Sequence, residues 1–190
     1  MAGIYEVSDF RRGLKIEYEG QPYTVVDFQH VKPGKGNAFT RTKLKNLMTG
    51  SNLEKTFKSG EKFNIPDIMQ KEMQYLYKDE AGFHFMDTSN YEQLQLTPEA
   101  VGEASLYLIE NLTINILFFN GKSIGLDLPN TVVLKIVETD PGVRGNTVSG
   151  GSKPAKLQTG AIVTVPLHMS EGDTIKVDTR THQYIEKVNK

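Results

Sequence analysis

Apolar and polar residues alternate along most of the chain with the period of two that half-buried strands require. "LKIEY" (14–18) alternates, "EGQP" turns the chain, and "YTVVDFQHV" (23–31) returns, which predicts a hairpin. "FTRTKLKNL" (39–47) alternates in turn and leads through "MTGSN" to a short strand in "LEKTFKSG". Further on, "KEMQYLYKD" and "FHFMDT" flank the hairpin signal "KDEAG", and "YEQLQL" alternates again. "NLTINILFFNGKSIGLDLP" reads as two strands around Asn120-Gly121, the pair that a tight two-residue hairpin turn prefers. "TVVLKIVET", "AIVTVPLHM", "TIKVDT" and "QYIEKV" supply the remaining strands, with "SEGD" as a turn. The proline in "VTVPL" predicts an edge strand or a strand end. The only helix signal is at Thr97, a residue that caps, followed by Pro98 at the first helical position and Glu99 against the dipole. "DPGVRGNTVSGGSKPA" (140–155) is predicted to be a long mobile loop, with four glycines and two prolines.

Short strands joined by tight turns predict an all-β fold of small barrels. Punctuation near Pro66 and near Pro129 to Thr131 divides the 190 residues into three compact modules, 1–64, 65–129 and 130–190. Each holds roughly 60 residues, a size at which a single core is marginal.

Composition narrows the function classes. Apolar residues make up 38% and charged residues 24%, ordinary for a globular protein. No apolar run approaches the roughly 20 residues that span a bilayer. The start, "MAGIYEVSDFRRG", lacks the basic region and apolar core of a secretory signal. There is no cysteine, which excludes disulfides, thiol nucleophiles and cysteine-ligated metal. A cytoplasmic location and no membrane partner are expected.

The net charge of −1 hides an uneven spread: +4 over residues 1–64, −7 over 65–129 and +2 over 130–190. Between Asp27 and Glu54 no acid occurs, yet Lys32, Lys35, Arg41, Lys43 and Lys45 all fall there. Such a patch attracts polyanions in a salt-dependent way, or it is a solvated basic hairpin; charge alone leaves both readings open.

The site motifs are mostly negative. A phosphate-binding P-loop ends Gly-Lys-Ser/Thr before a helix; "PGKGN" and "SGGSKPA" do not fit, so nucleotide hydrolysis is not expected. His30, His84, His168 and His182 have no metal spacing, and no carboxylate pair forms a recognisable acid-base motif. No metal, cofactor or catalytic residue is expected. Tyr75, Tyr77, Phe83, Phe85, Phe118 and Phe119 could stack bases on a β-barrel, but the acidic middle segment favours core packing for them. In "VKPGKGNAF" (31–39), Lys35 stands between Gly34 and Gly36 after Pro33. Either the glycines are turn residues at positive φ carrying an exposed lysine, or they clear the flanks of a side chain that must enter a narrow space. Spacing does not decide.

"DFQHVKPGKGNAF" followed by "RTKLKNL" resembles the N-terminal part of the bacterial elongation factor P family. "TDPGVRGNTVSGGSKPAKLQTGAIVTVPLHMSEGDTIKVDTRT" resembles that family's C-terminal signature, and the likeness runs along the whole chain. The hypusine-bearing factors of eukaryotes and archaea are relatives that lack the third module. The resemblance implies an SH3-like (KOW-type) N-terminal barrel followed by two OB-type barrels, in an L-shaped, tRNA-like arrangement. It implies a monomeric, non-enzymatic factor that binds the ribosome, both rRNA and ribosomal proteins, beside peptidyl-tRNA. There it would stimulate peptide-bond formation and relieve stalling at consecutive prolines.

On the same resemblance Lys35 is the modified lysine, served by a lysine-modifying enzyme. Pro33, Gly34, Gly36 and Asn37 form its loop, and Lys32, Arg41, Lys43 and Lys45 bind RNA. Arg144, Gly145, Asn146 and Thr147 form a loop contacting mRNA at the exit-site codon, with Asn146 where the family often has aspartate. His182 stands where the family often has glycine, a turn position that histidine tolerates at positive φ. The alternative reading is a general single-stranded RNA-binding OB protein acting off the ribosome. A metabolic enzyme ranks third and would need a pocket with convergent polar groups.

Overall fold

The fold is that of a computed structural model in which residues 3–142 and 150–189 are described. It is all-β, with one short helix. The strands in chain order are β1 (Ile4–Glu6), β2 (Lys15–Tyr18), β3 (Gln21–Val31), β4 (Phe39–Asn46), β5 (Asn52–Lys58) and β6 (Lys62–Asn64). There follow β7 (Ile68–Asp79), β8 (Gly82–Asp87), β9 (Gln93–Leu96), β10 (Thr113–Phe119) and β11 (Lys122–Asp127). The last are β12 (Thr131–Thr139), β13 (Ser152–Leu157), β14 (Ile162–Pro166), β15 (Thr174–Asp178) and β16 (Gln183–Lys187). They form three barrel-like sheets, ordered β1-β6-β2-β3-β4-β5, β11-β10-β7-β8-β9 and β14-β13-β12-β15-β16. The chain divides into two compact units, Met1–Lys71 with Ile116–Gly125, and Glu72–Asn115 with Leu126–Lys190.

In the first unit, Val7, Phe10, Leu14, Ile16, Val25, Leu44, Phe57 and Phe63 make a core. Its aromatic rings meet edge to face, Phe57 and Phe63 with centroids 4.8 Å apart, the geometry that ring quadrupoles favour. Asn46 is the buried polar residue that ends β4. Its side-chain oxygen accepts the backbone N–H groups of Met48 and Thr49 at 2.8 and 3.2 Å, and so builds the predicted "MTGSN" turn. The hairpin at Asn120-Gly121 has φ of 51° and 77°, as a two-residue turn with both central residues left-handed demands.

In the second unit a core forms around Tyr107, Val132, Leu134, Ile136, Leu157, Val163 and Ile175. Helix α1 (Pro98–Val101) starts as the sequence predicts. The Thr97 hydroxyl accepts the N–H of Ala100 at 3.2 Å, and Pro98 opens the helix. A 3-10 segment, Gly102–Tyr107, continues it. Pro166 lies in β14, which is an edge strand, as its ring requires.

Three strands differ from the sequence pattern. β1 and β6 span three residues each, too short to show a period, and pair with one another from Ile4↔Asn64 to Glu6↔Lys62. β13 occupies what reads as loop, because Pro154 argues against a strand. It pairs with β14 through Lys153↔Val165 and Ala155↔Val163 on one side and with β12 through Ala155↔Thr139 on the other. The Pro154 carbonyl stays useful, accepting the Thr139 hydroxyl at 2.8 Å.

Candidate functional site: a cationic loop and strand

The loop carrying Lys35 caps the β3–β4 hairpin. Its base is fixed by the register pairs Val31↔Phe39 and His30↔Thr40, and the His30 ring Nδ1 lies 2.7 Å from the buried Thr40 hydroxyl. Lys32, Gly34, Lys35, Gly36 and Asn37 are exposed, while Pro33 is half-buried. The Lys35 ammonium has no ion-pair or hydrogen-bond partner among the described residues. Only Gly36 takes the left-handed region, with φ of 108°; Gly34 does not, which corrects the expectation that both need positive φ. A methyl group at Gly36 would stand 3.9 Å from the Pro33 ring, whereas one at Gly34 would meet nothing within 4 Å. So the turn needs Gly36 for its backbone, whereas neither backbone nor space requires a glycine at Gly34.

Below the loop, β4 alternates strictly: Arg41, Lys43 and Lys45 face solvent, and Thr42, Leu44 and Asn46 face the core. The period of two therefore puts all three cations on one face. The Arg41 guanidinium lies 5.8 Å from the centroid of the Phe39 ring, two residues along the same face. The row is not as bare as the sequence makes it look. The two acids that bound the acid-free stretch return on the neighbouring strands, since Lys43 pairs in register with Asp27 on one side and Glu54 on the other. Lys43 Nζ is 3.7 Å from Glu54. Asp27 is gripped by Arg12, whose Nη2 and Nε donate to one carboxylate oxygen at 3.0 and 3.2 Å. That guanidinium, then the N–H of Phe28 and, more weakly, Lys43 hold the Asp27 carboxyl below its ordinary range. Neither Arg12 nor Asp27 is singled out by the sequence pattern, because their partnership spans 15 residues.

Of the six aromatic residues considered for stacking, Tyr75, Phe83, Phe85, Phe118 and Phe119 are buried. Tyr77 is exposed, stacked on the His84 ring with centroids 4.5 Å apart. Among the described residues no group of three or more His, Asp and Glu side chains could hold a metal ion. His84 lies 2.9 Å from Asp79, and His182 meets Tyr107. Arg144, Gly145, Asn146 and Thr147 lie outside the described residues. No described helix is long and apolar enough to cross a membrane.

The described residues present barrel-like β sheets with an exposed cationic loop, and the comparisons place that arrangement among translation factors. The chain matches the elongation factor P KOW-like domain over residues 6–63, the OB domain over 68–126 and the C-terminal domain over 132–187. It is 55% identical over 186 residues to elongation factor P of Bdellovibrio bacteriovorus, covering 98% of this chain and 99% of that one. It is 53% identical over 184 residues to elongation factor P of Moorella thermoacetica, covering 97% and 100%. The chain belongs to the elongation factor P family, translation elongation factors rather than enzymes. The fold is shared with a eukaryotic-type translation initiation factor 5A from Methanococcus jannaschii, at TM-score 0.53 and 23% identity over 64% of this chain and 90% of that chain. It is shared too with an initiation factor 5A family protein from Naegleria fowleri, at TM-score 0.54 and 14% identity, over 67% and 99%.

Proposed function

We propose that this factor binds the ribosome beside peptidyl-tRNA in the cytoplasm and speeds peptide-bond formation where consecutive prolines stall it. The observation that carries the reading is Lys35 itself, exposed and without a partner among the described residues, at the tip of a glycine-flanked loop above a row of cations. Lys35 is the group that reaches the tRNA end, extended by a modifying enzyme. Pro33, Gly34, Gly36 and Asn37 shape its loop, and Lys32, Arg41, Lys43 and Lys45 hold phosphates of rRNA and tRNA. Phosphate contacts fix register and orientation. Proline restricts the backbone on which the reaction must occur, and the factor supplies position rather than a catalytic group. Orientation is worth several kcal/mol, up to roughly 7–11 in the best intramolecular cases. The loop of Arg144, Gly145, Asn146 and Thr147 contacts mRNA at the exit-site codon, and the chain acts as a monomer. Modules 1–64, 65–129 and 130–190 are the working divisions, close to the three matched family segments.

The off-ribosome alternative loses its main support because five of the six aromatic residues it needs for stacking are buried. The test is a proline-run reporter in a strain lacking its own factor. Lys35→Ala is expected to keep the fold and lose the rescue, and full rescue by that variant would overturn the reading.

A further inference from the structure

The outer face of the first sheet continues beyond β4. Lys15 on β2 pairs with Thr24 on β3, Thr24 pairs with Lys45 on β4, and Lys45 pairs with Asn52 on β5. Directly opposed residues of an antiparallel ladder share a face. Lys15 and Lys45 therefore stand on one side of the sheet, with backbones about 10 Å apart, two strand spacings. Their neighbours Ile16 and Leu44 point into the core. Arg12, reaching across to Asp27, forms a ridge between two open grooves. Asp27, Arg41, Lys43 and Glu54 line one. Arg11, Arg12 and Lys15 line the other, with Tyr5 and Gln70, over an apolar floor that includes Pro66 and Leu117.

The grooves differ in charge. The first carries two carboxylates among its cations, and the second carries none. Arg12 is committed to Asp27, but Arg11 and Lys15 have no acidic partner among the described residues. Both are exposed, on either side of the buried Leu14. Two uncommitted cations over an apolar floor suit a charged strand whose sugars are less polar than its phosphates. Strand addition is restricted here, because β2 pairs with β3 along its whole length and with β6 at Glu17↔Asn64.

We propose that this second groove is an additional RNA-backbone site, in which Arg11 and Lys15 hold phosphates and the ribose rests on Pro66 and Leu117. It rests on the reading that the chain works on ribosomal RNA and tRNA, and it widens the contact from the β4 row across the Arg12–Asp27 ridge. The experiment measures the affinity of the full chain for ribosomes carrying peptidyl-tRNA across a range of salt. It compares the parent, the double variant Arg11→Ala/Lys15→Ala and the triple variant Arg41→Ala/Lys43→Ala/Lys45→Ala. Loss of two phosphate contacts is expected to make the salt slope shallower by about two. Between 50 and 200 mM salt the double variant would then lose about tenfold less affinity than the parent does. A parent-like slope in the double variant beside a weakened triple variant overturns the groove and leaves the ribosome reading standing. Parent-like binding by both, with full rescue by Lys35→Ala, sinks the two together. A photo-crosslinker at Gln70 reports the partner's class. An adduct that ribonuclease destroys supports the proposal, and one that only protease destroys assigns the groove to an acidic protein and overturns it.

Discussion

The hydroxyl of Tyr107 hydrogen-bonds to Nδ1 of His182, 75 residues further along the chain, and the two rings stack with centroids 5.4 Å apart. His182 holds φ of 61°, a conformation that favours glycine, in the turn between β15 and β16. Tyr107 is buried in the core of its unit, and burial first, then Glu103 and Asp178, push its hydroxyl up, so it remains a donor at neutral pH. The imidazole thus repays its backbone strain by satisfying a hydroxyl that would otherwise be buried without a partner.

This predicts an order of stabilities. His182→Ala keeps a side chain at positive φ and loses the bond, and should cost about 1–3 kcal/mol. His182→Gly loses the bond but relieves the backbone, and should cost roughly 1 kcal/mol less than alanine. In a Tyr107→Phe background His182→Gly should be neutral or stabilising. Urea unfolding of the four-protein cycle checks it; equal costs of His182→Gly in both backgrounds would refute the coupling.

The loop glycines should separate shape from access. Gly36→Ala forces a side chain into φ of 108° and should distort the loop. Gly34→Ala should leave stability within about 0.5 kcal/mol, since its methyl meets open space. Hydrogen exchange of residues 32–38, measured beside proline-run rescue, reads both. A Gly34→Ala variant with an unaltered loop but poor rescue would show that the bare flank of Lys35 matters for function.

Acid should weaken the β15–β16 turn in a defined window. Asp178 is drawn down to about 2, first by the Arg180 side chain, then by the backbone N–H groups of Arg180 and Thr181. Its folded-state value is depressed, so its contribution is present above the ordinary aspartate range and is lost as pH falls through about 2. Asp178→Asn keeps an oxygen for the backbone donors but does not titrate. The parent should lose more stability than this variant between about pH 4 and pH 2. Parallel urea midpoints for both proteins over that range would contradict the assignment.

Gly82 should tolerate no side chain. It has φ of 137°, and an added Cβ would stand 2.2 Å from the carbonyl oxygen of Leu96 on β9. Gly82→Ala must therefore break the β8–β9 approach or the Asp79 turn, and should cost several kcal/mol by strain. A melting temperature within a degree of the parent's would disprove it.

Local chemistry was legible in the sequence wherever neighbours in the chain settle it. Thr97 caps because its own hydroxyl meets Ala100 three residues on, and Asn120-Gly121 turns because both can take positive φ. β13 was hidden because Pro154 lowers strand propensity, and only pairing with β12 and β14 restores it. The cations of β4 were visible by alternation. Their counter-charges were not, because Asp27 and Glu54 reach Lys43 through strand register, and Arg12 reaches Asp27 across the fold. Lys15 joins that face for the same reason. Which side an alternating strand turns to solvent can be read locally; which other strands stand beside it depends on the completed sheet.

β5 and β14 each end a sheet. β5 presents Glu54, Lys55 and Lys58 along its length, and β14 exposes Ile162 yet closes with Pro166, which offers no N–H. Charge along the border of one sheet and a missing donor on the border of another both discourage an unpaired strand of a second chain from zipping on at those places.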